Sequence, residues 1–354
     1  MNGGLMPKRV MLRGPGVVDF EEYPEPSLQS GQVKFDAVSS AISGGTELMM
    51  FQGRAPRSIV SWDSGRRLLL PRANSQGLYP TGLGYQFVGR VSDVQETNAT
   101  KFRIGDHFWI DAPHADSVVV DVSDLPPMQR IETKTTWHAA YLPIVRIALG
   151  AVHDARPLIG DHATVFGAGM IGLMAAVLLH RAGTASVTVV EPNATRRRVA
   201  ESMGFETIDP EIAFPSEVLE ESGCRSDIVI EASGNYQALN EALRTVRAMG
   251  TVVTVSSYGN QDAGVFLGHE FHRNRVTMLS SMTVNGCAHR DSPRWDIDRL
   301  TSESLRLIEA NALRLDSMGI EVEPFNTAPL AYDRLQDLAS APVSIRFDYS
   351  PVPA

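Results

Sequence analysis

The chain has 354 residues, of which 43% are hydrophobic and 21% are charged; this composition fits a two-domain globular protein and excludes a disordered one. The 32 basic and 41 acidic side chains give a net charge of -9, which argues against nucleic acid or a membrane surface as a partner. The two cysteines are too few for a disulfide scaffold or a four-cysteine zinc lobe. We expect a cytoplasmic protein, because neither a signal peptide nor a membrane-spanning stretch is evident.

Residues 1–141 are predicted to form a β-rich domain. Short β segments are separated by turns and show no long helical period; they include 33–38, 87–94, 108–110 and 118–120. Many short strands of this kind are typical of a β-barrel. Residues 54–79 show little periodicity and are predicted to be a long surface loop.

From residue 142 onward, strands and helices alternate. The predicted strands are apolar throughout and span 163–166, 186–190, 227–231 and 251–256. The predicted helices span 170–182, 195–203 and 236–248. This alternation indicates a doubly wound parallel sheet covered on both faces, and therefore an α/β fold class. In the C-terminal part, the sequence predicts helices at 301–311 and 332–339 and a last strand at 343–349.

A glycine-rich turn joins the first strand of this sheet to its helix. The turn reads Gly167-Ala168-Gly169-Met170-Ile171-Gly172, a GxGxxG sequence in the strand–turn–helix context of a dinucleotide site. Gly167 permits the tight turn, Gly169 lets a pyrophosphate approach the backbone, and Gly172 lets the helix pack on the strand. The free N–H groups at the start of the helix, around Met170 and Ile171, would hold the phosphate charge.

Glu191 ends the next strand, about 20 residues beyond the glycines, where an acid accepts hydrogen bonds from the adenosine ribose. A carboxylate there would repel a 2′-phosphate and so favours NAD. NADP stays open as an alternative, because Arg196-Arg197-Arg198 on the next helix could bind that phosphate; otherwise these arginines form a solvated face, with one of them over the adenine. Small residues after two later strands are further candidate neighbours of the cofactor: Ser233, Gly234, Ser256 and Ser257.

Four motifs in this order resemble the medium-chain dehydrogenase/reductase superfamily. They are GYQFVGRV at 84–91, FRIGD at 102–106, VFGAGMIGL at 165–173 and DIVIEASG at 227–234. The resemblance implies a GroES-like catalytic domain at 1–141, a Rossmann domain at 142–282 and a segment at 283–354 that returns to the catalytic domain. It also implies an active cleft between the domains, a small-molecule substrate and a homodimer.

Many members of this superfamily bind a catalytic zinc through a Cys-Gly-Thr/Ser-Asp stretch and a Gly-His-Glu stretch. Here the first stretch, 42–47, contains no cysteine, and Tyr85 and Gln86 replace the His and Glu of the second. The later ligand would fall near residues 142–144, which are Leu, Pro and Ile. We therefore expect no zinc, and the sequence is similar to the zinc-lacking branch that contains the hydroxyethyl-bacteriochlorophyllide dehydrogenases.

Without a metal, a hydroxyl or imidazole must stabilise and protonate the substrate oxygen. Thr46 matches the family's relay hydroxyl, although it could equally satisfy a backbone group. Tyr85 stands where a zinc ligand would project, and is either a proton donor or a packed aromatic. Glu47 matches the family's Asp and is expected to orient its neighbours. His138 could face the cleft or be structural.

These residues predict a zinc-independent oxidoreductase. The predicted reaction transfers a hydride between NAD(H) and a secondary alcohol or ketone of a small metabolite of the sugar, cyclitol or secondary-metabolite type. One alternative is an NADPH-dependent reductase of enones or quinones, against which Glu191 argues. Another is a nucleotide-binding protein without activity, which the intact glycine motif disfavours.

Overall fold

The computed structural model describes residues 6–24, 27–56, 60–71, 79–95, 101–132, 135–259, 264–282, 295–337 and 339–350. The chain forms two compact units. Unit 1 comprises Met1–Tyr141, Val322–Gln336 and Ile345–Ala354, and unit 2 comprises Leu142–Glu321 and Asp337–Ser344. Within the described residues, no helix combines the length and the apolar character needed to cross a bilayer.

The strands are numbered in chain order as β1 (Lys8–Gly14), β2 (Val17–Glu22), β3 (Gln32–Ala41), β4 (Val60–Asp63), β5 (Leu68–Pro71), β6 (Thr81–Gly82), β7 (Phe87–Val94), β8 (His107–Ile110), β9 (Ser117–Asp121), β10 (Met128–Ile131), β11 (His162–Phe166), β12 (Ser186–Val190), β13 (Glu206–Ile208), β14 (Ser226–Glu231), β15 (Val246–Thr254), β16 (Thr277–Ser280), β17 (Ile320–Pro324) and β18 (Ser344–Asp348). The α-helices are α1 (Thr46–Phe51), α2 (Leu142–Ala155), α3 (Met170–Ala182), α4 (Ala194–Ser202), α5 (Pro215–Glu221), α6 (Tyr236–Thr245), α7 (Glu270–Arg273), α8 (Ile297–Glu309) and α9 (Ala328–Gln336). A 3-10 helix spans Thr136–Tyr141.

Unit 1 is built on antiparallel strands. Its larger sheet has the order β10-β8-β7-β3-β18-β17, with β9 also paired to β3, and a smaller sheet has the order β2-β1-β6. Alternate side chains point into an aromatic core in which Phe35 contacts Phe102 and Phe108 edge to face, with ring centroids 6.0 and 5.6 Å apart. Burial of these rings is the main favourable term for this sheet.

The last residues of the chain complete the core around α1. Strand β18 pairs antiparallel with β3, and helix α9 places Tyr332 against Phe51 with ring centroids 5.7 Å apart. The cluster also buries Leu12, Ile42 and Phe347. Residues far apart in sequence therefore surround the short helix α1.

The predicted surface loop at 54–79 contains regular structure, so this expectation was wrong in part. Strands β4 and β5 pair antiparallel, with Val60 opposite Pro71 and Asp63 opposite Leu68. The Asp63 carboxylate accepts a hydrogen bond from the Arg66 N–H across 2.9 Å and closes the turn. Each strand of the hairpin has only four residues, which is the lower limit for recognising a period-2 pattern. Residues 57–59 and 72–78 of the predicted loop lie outside the described residues.

Unit 2 confirms the predicted parallel α/β sheet. Its six strands have the order β13-β12-β11-β14-β15-β16, and each adjacent pair is parallel. The chain moves outward from β11 to β12 on one side and then starts again with β14 on the other. The carboxyl ends of β11 and β14 therefore meet at a topological switch point, where ligands bind in such sheets.

The predicted division at residue 283 is not where the structure divides. Residues up to Glu321 belong to unit 2, and so do Asp337–Ser344. Helix α8 buries Leu300, Leu307 and Ile308, and its Thr301 Oγ1 accepts a 3.4 Å hydrogen bond from Arg146 on α2. The apolar face of α8 thus covers α2, so only part of the predicted 283–354 segment joins unit 1.

Candidate functional site

The glycine turn between β11 and α3 is shaped by two close approaches. Gly167 has φ +96°, and a Cβ there would lie 3.0 Å from the Ser233 nitrogen. A Cβ at Gly172 would lie 1.8 Å from the Gly167 carbonyl oxygen. Gly169, the N-cap of α3, has no side-chain cap, and a Cβ there would meet nothing within 4 Å. The first turn of α3, which begins at Met170 and Ile171, is therefore open to an anion.

The four predicted small residues come together at the carboxyl ends of β14 and β15. Gly234 has φ +69°, and a Cβ there would lie 3.2 Å from the Ser257 carbonyl oxygen and 3.5 Å from Ser256 Cβ. Ser233 lies against Gly167, as the distance above shows. The structure thus brings the two loops to the glycine turn, at the edge where a nucleotide would lie.

Glu231 anchors both loops, and the sequence analysis did not single it out. It is fully buried at the end of β14, where its carboxylate accepts hydrogen bonds from the Ser233 N–H across 2.8 Å and from the Ser233 and Tyr258 hydroxyls. Burial raises the pKa of Glu231, and these hydrogen bonds oppose the rise. Burial and the Glu231 charge raise the pKa of Tyr258. An acid that directly follows a buried strand was the available signal.

Glu191 holds the glycine turn as well as facing the site. It is 5% exposed, and its two oxygens accept hydrogen bonds from the Ala168 N–H across 2.6 Å and the Asn193 N–H across 2.9 Å. Each carboxylate oxygen can accept a second hydrogen bond. Glu191 therefore retains the capacity to accept from a ribose hydroxyl while it fixes the turn.

Two of the three arginines on α4 are engaged by unit 2 itself. Arg196 donates from Nε and Nη2 to the Pro342 carbonyl oxygen across 3.2 and 3.0 Å, and burial lowers its pKa. Arg197 forms a 2.6 Å ion pair with Asp209. The Arg198 side chain is exposed. A 2′-phosphate would thus compete with existing partners for two of the three guanidinium groups.

Unit 1 contains a cluster of three hydroxyl side chains. The Tyr85 hydroxyl donates to Ser43 Oγ across 2.8 Å, and the Thr46 hydroxyl lies at the start of α1. Burial raises the pKa of Tyr85 to about 12; interactions with the Ser43 and Thr46 hydroxyls oppose the rise and the charge of Glu47 adds to it. The phenol is therefore protonated at neutral pH and can act as a hydrogen-bond donor.

Glu47 lies beneath this cluster and is 1% exposed. Its Oε1 accepts from the Ser43 N–H across 2.9 Å. Its Oε2 lies 3.1 Å from His114 Nε2 and accepts from the Tyr332 hydroxyl across 2.7 Å. The sequence analysis missed Ser43, His114 and Tyr332, since nothing local in the sequence joins them to Glu47.

His138 lies on the 3-10 helix and is 2% exposed. Its ring meets that of Trp137 edge to face, with centroids 4.1 Å apart. A catalytic role for His138 stays a prediction from the sequence.

The side chains at the family's zinc positions do not suit that metal. Zinc binds thiolate, imidazole and carboxylate groups, whereas the stretch 42–47 has no cysteine and the second stretch offers the Tyr85 phenol and the Gln86 amide. The Gln86 amide donates to the Ala41 carbonyl oxygen across 3.0 Å. Residues 142–144 begin α2 as buried apolar side chains. In the part of the chain that the structure describes, no three His, Cys, Asp or Glu residues form a metal-binding group.

Comparisons with known proteins show which family the chain is related to. The family model for zinc-binding dehydrogenases matches residues 171–302, which does not include the stretch 42–86. D-guloside 3-dehydrogenase of Escherichia coli K12 is 26% identical over 342 residues, which cover 93% of this chain and 96% of that protein. (R,R)-butanediol dehydrogenase of Bacillus subtilis is 31% identical over 296 residues, which cover 76% of this chain and 80% of that protein.

The fold is shared with solved structures of dehydrogenases. An alcohol dehydrogenase of Escherichia coli CFT073, crystallised with NADH, has a TM-score of 0.73 and 16% identity, and the match covers 98% of this chain and all of that one. Its likeness concerns the fold, a Rossmann-type parallel sheet together with a GroES-like catalytic domain. The chain belongs to the medium-chain, zinc-binding-type family of alcohol dehydrogenases.

Proposed function

We propose that the protein is a zinc-independent member of this family that transfers a hydride between NAD(H) and a secondary alcohol or ketone of a sugar-like polyol. The observation that carries the proposal is the Tyr85–Ser43–Thr46 cluster. A protonated phenol stands at a position where the family places a zinc ligand. The relatives named for D-guloside and butanediol support a substrate with neighbouring hydroxyl groups.

The Tyr85 hydroxyl would polarise the substrate oxygen, as the zinc ion does in zinc-dependent members of the family. When a ketone is reduced, its carbonyl carbon receives the hydride and its oxygen must receive a proton. The raised pKa, about 12, keeps the Tyr85 hydroxyl protonated at neutral pH. If that hydroxyl turns from Ser43 Oγ to the substrate oxygen, it can hydrogen-bond to the developing oxyanion and then transfer its proton, because an alkoxide is a stronger base than a phenolate. The exposed Thr46 hydroxyl offers a route by which solvent returns a proton to Tyr85.

Unit 2 contains the groups that suit NAD(H). The N–H groups around Gly169 and Met170 would hold the pyrophosphate, Glu191 the adenosine ribose, and the loops at Ser233–Gly234 and Ser256–Ser257 the nicotinamide half. Bound nicotinamide supplies the acceptor or donor of the hydride. The Glu191 carboxylate and the engaged Arg196 and Arg197 support NAD over NADP. Solved structures of the same fold hold NADH or NADP, so they support a nicotinamide nucleotide without favouring either one.

Initial rates with a panel of polyols and other secondary alcohols test this proposal. With either nucleotide supplied in turn, oxidation is followed at the nicotinamide absorbance. We expect turnover on a secondary alcohol with a preference for NAD over NADP. Turnover only on enones with NADPH, or no turnover with any alcohol or ketone, would contradict the proposal.

We also propose a homodimer that forms through β16. Among the described strands, β16 ends the six-stranded sheet, and its four residues are all exposed, including Met278 and Leu279. An open strand edge with apolar side chains favours pairing with a second copy of itself. Sedimentation of the intact protein should give the mass of two chains, and Leu279→Lys should give one. A wild-type protein that sediments as a single chain would refute the dimer.

A further inference from the structure

His114 is a completely enclosed titratable side chain near the Tyr85 cluster. It is fully buried, and its ring meets that of Phe347 edge to face with centroids 5.3 Å apart. Gly84 makes room for His114, because a Cβ at residue 84 would lie 2.7 Å from the His114 backbone nitrogen and 2.9 Å from the imidazole ring. Gly84 also has φ +104°, a conformation that favours glycine. The chain is thus shaped around this imidazole.

The two ring nitrogens of His114 connect different parts of unit 1. Nε2 lies 3.1 Å from Glu47 Oε2, and Nδ1 lies 2.7 Å from Ser40 Oγ. Ser40 Oγ in turn lies 2.8 Å from the Tyr349 hydroxyl. A line of hydrogen bonds therefore runs from Tyr349, through Ser40 on β3 and His114, to Glu47 in the first turn of α1.

The hydrogen-bond acceptors in this line determine which of its atoms carry hydrogens. An ionised carboxylate only accepts hydrogen bonds, so Nε2 carries the hydrogen that faces Glu47. With the hydrogen on Nε2, Nδ1 accepts from the Ser40 hydroxyl, and Ser40 accepts from Tyr349. Burial raises the pKa of Tyr349, which keeps its proton available. Each hydroxyl donates once, and no member of the line is left unsatisfied.

We propose that His114 is a positioning residue for the Tyr85 hydroxyl, acting through Glu47. His114 and Tyr332 fix Oε2 of Glu47, while Oε1 holds the Ser43 N–H. The Ser43 hydroxyl is the acceptor for Tyr85. This role rests on the proposed function, in which Tyr85 contacts the substrate oxygen, but the coupling of His114 to Tyr85 can be measured without any substrate.

NMR of the intact protein labelled at the tyrosine Cζ carbons tests the coupling. The Tyr85 resonance is assigned with Tyr85→Phe. We expect His114→Leu to shift it, and His114→Gln to restore it, because the glutamine amide can donate to Glu47 in place of Nε2. His107→Leu, on β8, is the matched control and should leave it unchanged. An unchanged Tyr85 resonance in folded His114→Leu overturns the proposal.

If His114→Leu fails to fold, Ser40→Ala replaces it, since it removes the hydrogen bond that orients the imidazole. The same resonance should then shift in Ser40→Ala, and an unshifted resonance would again refute the coupling. These outcomes do not depend on turnover. A protein that shows the coupling but oxidises no alcohol therefore contradicts the proposed function and not this inference.

Turnover adds a second readout once a substrate is found. Misplacing a proton donor lowers kcat by on the order of 10-fold or more, so His114→Leu should show such a loss with KM little changed, and His114→Gln should recover most of it. In the Tyr85→Phe background, the His114→Leu loss should shrink to about 2-fold or less. Losses that simply multiply would show that His114 does not act through Tyr85.

Discussion

The Tyr258 hydroxyl donates a hydrogen bond to the Glu231 carboxylate and so joins the loop after β15 to the end of β14. The same carboxylate accepts from the Ser233 N–H across 2.8 Å. One buried acid thus sets the relative position of the two loops that would receive the nicotinamide half of the nucleotide. We infer this function because the Glu231 carboxylate accepts hydrogen bonds from both loops, from Ser233 in one and from Tyr258 in the other.

Glu231 should make stability depend on pH. Burial raises its folded pKa above the ordinary value of 4.5, so its contribution is present at low pH and is lost as the pH rises through the folded pKa. The free energy of unfolding of wild type should therefore fall, relative to Glu231→Gln, as the pH rises above about 4.5 and through the raised folded pKa. Urea unfolding at several pH values measures this.

The exposed Glu221, on α5, supplies the control for that experiment. Glu221→Gln should follow wild type at every pH. Parallel curves for wild type and Glu231→Gln would be inconsistent with a raised pKa for Glu231.

Alanine substitutions at two glycines of the turn should have different effects, one on NADH affinity and the other on thermal stability. Gly169 has φ −73° and open space at its Cβ position, so Gly169→Ala should fold normally. It should still weaken NADH binding by about 10-fold or more, because the methyl group occupies the path of the pyrophosphate. Thermal melting and fluorescence titration with NADH separate the two effects.

Gly172→Ala should instead lower the melting temperature, because its Cβ would lie 1.8 Å from the Gly167 carbonyl oxygen. The turn or the helix must then move. Normal stability of Gly172→Ala would contradict the close approach of Gly172 to Gly167. Unchanged NADH affinity of Gly169→Ala would mean that the turn does not hold a nucleotide as proposed.

Loss of the Tyr85 or Thr46 hydroxyl should slow the chemical step. Tyr85→Phe and Thr46→Ala are each expected to lower kcat, by about 10²-fold for a residue that donates the proton. NADH affinity should stay within about 2-fold, because these residues lie in unit 1 and the groups that suit the nucleotide lie in unit 2. Steady-state kinetics and NADH titration give both quantities.

Tyr79→Phe is the matched control for that pair. Its hydroxyl donates to the Met50 carbonyl oxygen across 3.2 Å rather than to a member of the Tyr85 cluster, so kcat should remain near the wild-type value. Full activity in both Tyr85→Phe and Thr46→Ala would remove the hydroxyl cluster from the mechanism.

Unit 2 was largely predictable, because its signals are local. The predicted helix at 170–182 and strand at 186–190 have the observed bounds, since the glycine turn and apolar runs mark them. Helix α6 ends at Thr245 rather than 248, because β15 begins at Val246. There the pairing of the sheet overrides the helical pattern.

The network beneath Tyr85 could not be predicted in the same way. His114 lies 67 positions from Glu47, and Tyr332 lies 285 positions away. Their partnership depends on the return of α9 and β18 to unit 1, which no local pattern specifies. Glu231 could have been predicted more easily, because an acid at the end of a buried strand needs hydrogen-bond donors around its carboxylate.

The measurement that tests the central claim most directly combines turnover with metal content. The protein is purified, treated with a chelator and dialysed, and then its zinc content and its rate with NAD and a secondary alcohol are measured on the same sample. We predict full turnover with zinc far below one equivalent per chain, and no increase when zinc is added. Activity that disappears with the metal and returns in proportion to added zinc would contradict the claim that side-chain hydroxyl groups polarise the substrate.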